Sequence, residues 1–187
     1  MSDDNIDYGP LTELIGTWKG NKGTDIAPDP DGIENNPYYE TITFEPIGDV
    51  TNAESQTLVG LHYRQIVTRK SDNEVFHDQT GYWMWDSATG VISQSLNIPR
   101  VVSLLAGGTQ NNERDTNGNI IIEVSASIDS PDWQIIQSPF MQKNACTKSF
   151  KHSITVGNGK LSYAETTMVD IYDKVFEHTD ENSLELQ

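Results

Sequence analysis

The chain has one cysteine, Cys146, so it cannot close an internal disulfide, and it has neither zinc-finger cysteine spacing nor a CxxCH motif. A reducing, cytoplasmic setting is the expectation. Long apolar runs are also missing. None approaches the roughly 18–20 residues that a membrane helix needs, which excludes a spanning helix. The stretch Met1-Ser2-Asp3-Asp4-Asn5-Ile6-Asp7 has no apolar core and reads against a secretory signal. Positive charge is scarce: 12 Lys and Arg stand against 28 Asp and Glu, for a formal net charge of −16. Such a balance argues against nucleic acid and against anionic membranes as partners. GxSxG, Walker and HExxH patterns are absent. The glycines from Gly16 to Gly23 lie at a strand and not before a helix, so they do not form a phosphate cradle. Cys146 has Lys143 and Lys148 nearby but no evident base, and reads as an unreactive thiol.

What is present is a succession of short β-segments. At 187 residues the chain fits one domain with a substantial core. Eleven segments read as strands, running from Leu14–Gly20 through Gln79–Asp86 and Ser149–Val156 to Tyr172–His178. Turn residues separate them, at 86–90, 115–119 and 157–160, where Gly and Asn supply the positive φ of tight hairpins. About ten strands joined by hairpins, with no βα alternation, predict an all-β fold: an antiparallel up-and-down barrel. Gly9-Pro10-Leu11-Thr12-Glu13-Leu14 predicts one short helical turn ahead of it. Residues 24–37, with three prolines and two asparagines, read as a loop. The expected layout is an acidic, flexible N-terminus over 1–8, one barrel domain over 9–180 and an acidic tail over 181–187.

Period-2 alternation marks an inside. Ile120, Ile122 and Val124 share one face, and Ile42 and Phe44 share another. A barrel of eight to ten strands encloses room for a small ligand. Tyr82, Trp83, Met84 and Trp85 put bulk on both faces of one strand, which suits a core or a cavity wall.

Gly16-Thr17-Trp18 after a helical turn resembles the start of lipocalin-like barrels, where the indole closes one end. It is followed by Tyr39-Glu40-Thr41-Ile42-Thr43-Phe44, then His77-Asp78-Gln79-Thr80-Gly81-Tyr82-Trp83, Lys160-Leu161-Ser162-Tyr163, Met168 and His178. In this order and spacing the chain resembles the nitrobindin family, once labelled fatty-acid-binding-protein-like. The resemblance implies a ten-stranded barrel holding haem b near its open end. His178 matches the axial iron ligand, and His77 matches a distal-side histidine. It further implies ferric-haem chemistry: binding of nitric oxide and isomerisation of peroxynitrite to nitrate. Pairing into a homodimer is a further implication.

The residues themselves leave alternatives open. Alternation puts Tyr172, Lys174, Phe176 and His178 on one face, so His178 is either an inward ligand or a surface histidine near an acidic terminus. His77 is either a distal polar group or solvent-facing. His62 either lines the cavity or is exposed, and His152, between Lys151 and Ser153, reads as surface. Met84, Leu104, Phe140 and Met141, together with Trp18, are candidate apolar walls of the pocket. Cations to balance haem propionates are few: Lys19, Lys22, Arg64, Arg69, Lys70 and Arg100. A second reading keeps the barrel and drops the metal, making the protein a non-enzymatic carrier of a fatty acid or another small hydrophobic ligand.

Overall fold

A computed structural model describes residues 6–187. The strands are β1 (Gly16–Asp29), β2 (Gly32–Asn52), β3 (Gln56–Arg69), β4 (Val75–Trp85), β5 (Val91–Ile98), β6 (Val102–Thr109), β7 (Ile120–Ser127), β8 (Ile135–Gln137), β9 (Ala145–Gly157), β10 (Lys160–Ile171) and β11 (Lys174–Leu186). Every strand pairing among the described residues is antiparallel. The order β5-β4-β3-β2-β1-β11-β10-β9-β7-β6-β8, with β5 also pairing β6, closes a ten-strand barrel and leaves β8 as an extra strand. Tight turns with two positive-φ residues link the last three long strands: Asn158-Gly159 and Tyr172-Asp173. Tyr172 is thus a turn residue and not the start of a strand. No helix among the described residues is long and apolar enough to cross a membrane.

The 3₁₀ turn Gly9–Leu14 caps one end. Leu11 and Leu14 are fully buried there, and the Trp18 indole donates to the Leu14 carbonyl at 2.7 Å. Gly9 holds φ +52°, and a Cβ on it would lie 2.3 Å from the Trp85 ring. Around this plug, Phe44, Leu61, Trp83, Ile92, Ile120, Ile122, Ile154, Leu161 and Leu184 complete a continuous apolar core.

Three expectations are corrected. Residues 24–37 do not form a loop. β1 and β2 run on as a ladder to Asp29↔Gly32. The prolines fit because each lies where its strand has lost a neighbour: Pro28 beyond the last β1–β11 pair, Pro37 beyond the last β2–β3 pair. Residues 181–187 are not a tail, because Glu181–Leu186 belongs to β11 and pairs with β1, down to Trp18↔Leu186. A second helix, α1 (Pro139–Asn144), follows β8; Ser138 caps it by accepting the Met141 N–H. Of the N-terminal segment 1–8, residues 1–5 lie outside the described residues; Tyr8 packs on the core and accepts the Gly48 N–H.

Between β6 and β9, where β7 pairs β6 only at Gly107↔Ser125, a side chain completes the wall. The Gln137 amide on β8 donates to the Thr147 carbonyl (3.0 Å) and accepts the Thr147 N–H (2.9 Å), standing in for a backbone pair.

A polar belt crosses the mid-barrel. Buried Glu40 accepts hydrogen bonds from Gln65 (2.6 Å), Tyr163 (2.9 Å) and Asn182 (2.7 Å). The hydroxyls of Tyr38 and Tyr163 meet at 2.7 Å. Burial pushes the Glu40 carboxyl up to about 7, against the lowering effect of its three donors. An acid whose folded pKa is raised stabilises the fold fully below its unfolded pKa, and that stabilisation is lost as pH rises through the folded value. Glu40→Gln carries no such liability. Its stability should gain on wild type between pH 5 and pH 8 by on the order of 3 kcal/mol. Urea melts of both proteins at the two pH values test this; a difference independent of pH would show that Glu40 does not titrate in this range.

Candidate functional site

The open end gathers charged and titratable groups inside the barrel. A bulge in β1 between Gly20 and Gly23 resets the alternation that began at Trp18. Beyond it, Asp25 faces inward, directly across from Asp180 of β11. The bulge depends on missing side chains, since a Cβ on Gly23 would lie 2.0 Å from the Tyr38 ring. On β11 the pleat turns Phe176, His178, Asp180, Asn182 and Leu184 to the interior. His178 Nε2 meets Asp25 Oδ1 at 2.6 Å and Asp180 Oδ2 at 3.4 Å. Asn36 of β2 donates to the second Asp25 oxygen at 2.9 Å. Both His178 contacts use Nε2, which leaves Nδ1 as the nitrogen open to a metal.

Proton affinities follow from this packing. Burial opposes an imidazolium at His178, but the Asp25 hydrogen bond and the charges of Asp180 and Asp25 outweigh it and raise its pKa. Asp25 is held below the usual carboxylate range: burial pulls it upward, and the His178 and Asn36 hydrogen bonds prevail. Asp180 moves the other way, raised by burial despite His178 and further by Glu165 and Asp25. The two carboxylates beside the imidazole are thus pushed apart in proton affinity, Asp25 toward the ionised form and Asp180 toward the protonated one.

His77 of β4 shares this interior. Its Nε2 meets Gln79 Oε1 at 3.0 Å. Burial lowers its pKa, with smaller contributions from the charges of Arg100 and His178. Arg100, in the turn after β5, acts on both histidines. Among the other cations, Arg64 pairs with Asp78 on the exterior, and the partly buried Arg69 pairs with Asp72 while its guanidinium lies over the Phe76 ring.

The remaining sequence candidates divide. Trp18 is fully buried at the closed end, away from the histidines, and Leu104 is buried in the core lining. Met84 does not line the interior. It lies on the pleat face opposite Trp83 and Trp85, against Gly60 of the outer wall. Phe140 on α1 is 71% exposed, whereas Met141 packs on the core. His62 is outward, meeting Thr80 at 3.0 Å and Glu45 at 3.7 Å. His152 reverses its reading as a surface residue: it is buried among Trp83, Phe150 and Tyr163. Sequence reasoning missed Asp25, Asn36 and Asp180. The usable signal was the resumption of alternation at Gly23-Asp25-Ala27, once one bulge is allowed after Gly20.

A closed antiparallel barrel, plugged at one end and carrying an inward imidazole with a buried carboxylate at the other, is a ligand-holding barrel. A sequence profile of the THAP4-like, heme-binding beta-barrel domain matches residues 7–185, and the chain belongs to that family. Among solved structures, Rv2717c from M. tuberculosis has the same fold: TM-score 0.67, 21% identity, covering 95% of this chain and 94% of that one. No curated protein matches the chain by sequence.

The Asp25–His178 pair gives a direct test. In Asp25→Asn the partner that raises the His178 pKa is neutral, so the His178 titration midpoint should fall below its wild-type value. NMR of the histidine Cε1–H resonances checks this; an unmoved midpoint would mean that Asp25 does not hold the proton there.

Proposed function

We propose that the protein binds haem b at the open end of the barrel, with His178 as the axial ligand. One observation carries this: an inward imidazole whose Nε2 is held by a buried carboxylate, with Nδ1 left for a metal. Ligating histidines ordinarily give their second nitrogen to a carboxylate, which fixes the ring and strengthens it as a donor. Asp25, itself steadied by Asn36, fills that role. The chain's residues therefore suit the group. Arg100 supplies positive charge for the propionates in a site otherwise rich in acids. His77, kept neutral by burial, supplies a polar group at the same open end.

Bound haem would supply a ferric centre able to bind nitric oxide and to act as a Lewis acid in isomerising peroxynitrite to nitrate. The barrel orients the ligand and excludes water on the belt side. A net charge of −16 does not favour the approach of an anion, whereas neutral nitric oxide is indifferent to it. The carrier alternative would have to use the same open end. The cavity within the belt, bounded by Ile42, Tyr63, Trp83 and Tyr163 among others, measures about 10 Å³, room for one water and not for an alkyl chain.

Titrating the full chain with hemin tests the proposal. The Soret band should shift and saturate at one haem per chain. His178→Ala should abolish the shift, and Asp25→Asn should weaken binding by about 10–100-fold. A spectrum unchanged by protein, or the same in His178→Ala as in wild type, would overturn the assignment.

A further inference from the structure

The interior hydrogen bonds around Tyr63 do not balance among the protein groups alone. A tyrosine hydroxyl has one hydrogen to give and two lone pairs to offer. Tyr63 receives an N–H from Gln79 at 2.8 Å and another from Gln94 at 3.0 Å. Its lone pairs are thereby used, and its own hydrogen still needs an acceptor. Leaving a buried hydroxyl hydrogen unmatched is unfavourable, because the group has given up its bond to water without a replacement.

An acceptor lies nearby. The cavity of about 10 Å³ is walled by Tyr63, Gln65, His152 and Tyr163, together with apolar side chains. His152 gives Nδ1 to Gln94 Oε1 at 3.0 Å. Glu165 Oε2 lies 3.9 Å from the same Nδ1, so both contacts of the ring use that nitrogen, while Nε2 of this cavity-lining histidine is buried without a partner. Burial also keeps this imidazole neutral, with a pKa of about 3, so only one of its nitrogens carries a proton. The cavity has the size and the polar lining that one water requires.

We propose that one ordered water sits between Tyr63 and His152, and that through Tyr63 and Gln79 it commits His77 to carrying its proton on Nε2. The water accepts the Tyr63 hydrogen and donates to His152 Nε2. Both glutamines can then present their amide NH₂ to Tyr63. The Gln79 carbonyl is consequently the group facing His77, and it accepts only if Nε2 is protonated. Without the water, one glutamine must turn its carbonyl to Tyr63, and turning Gln79 would move the His77 proton to Nδ1. Tyr63, Gln79, Gln94 and His152 are thus positioning residues for His77.

The meaning for ligands rests on the haem-site reading. With its proton spent on Gln79, His77 offers a lone pair at Nδ1. The ligands it assists are those bearing an O–H, such as a hydroperoxide or peroxynitrous acid, and not those that need a donated hydrogen bond.

The test uses the full chain without haem, so its outcome is independent of the hemin titration. Long-range ¹⁵N–¹H NMR should show His77 protonated at Nε2 and bare at Nδ1, and His152 the reverse. Water-to-protein cross-relaxation should place a long-lived water at the His152 ring. In Tyr63→Phe the water contact should be lost, and the His77 nitrogens should shift toward a mixture of tautomers. His77 protonated at Nδ1 in the wild-type chain would overturn the proposal, as would the absence of a long-lived water at His152. These wild-type readouts decide the matter even where Tyr63→Phe folds poorly.

Discussion

Every polar group that the pleat turns into this barrel must find its partner there, because the closed wall leaves it no path back to solvent. The constraint explains why the interior polar residues occur as connected sets. Glu40 takes three donors, and Gln65, Tyr163 and Asn182 each need it in return. Asp25 is tolerable because His178 and Asn36 both serve it. The apolar plug below and the belt above it divide the labour. Trp18, Trp83 and their neighbours provide burial, and the belt fixes side-chain orientation.

The same constraint makes the open end electrostatically unusual. Asp25, Asp180 and Glu165 converge on β1, β10 and β11, with Glu165 directly across from Asp180. Burial pushes Glu165 upward, and Glu40 pushes it further. Such a group of acids stays together because burial raises the proton affinity of Asp180 and Glu165 while the His178 and Asn36 hydrogen bonds hold Asp25 toward its ionised form.

Much of the barrel was legible because its hairpins carry their own signals. The Gly and Asn turns at 86–90, 115–119 and 157–160 sit where the structure places them, and alternation sorted Ile120, Ile122 and Val124 inward. Alternation grouped His178 with Phe176 but left open which way that face points; the structure turns it inward. Failures came where one local rule masked another. Pro28 and Pro37 suggested a loop, although each occupies a position without a strand on one side, and that misreading hid Asp25. His152 was judged by Lys151 and Ser153, yet its pleat neighbours Phe150, Ile154 and Val156 are the ones that share its face. Met84 stood in a strand apolar on both sides, where period alone does not say which side is inner. The helix after Ser138-Pro139 had a cap signal that the surrounding β pattern obscured.

The site straddles the β1–β11 seam, whose pairs join residues as distant in the chain as Trp18 and Leu186. Contacts of such separation carry the largest loop-closure entropy. Asp25 and His178 therefore become neighbours only when the cylinder zips shut. A partly folded chain that has completed its internal hairpins but not this seam still lacks the Asp25–His178 pair.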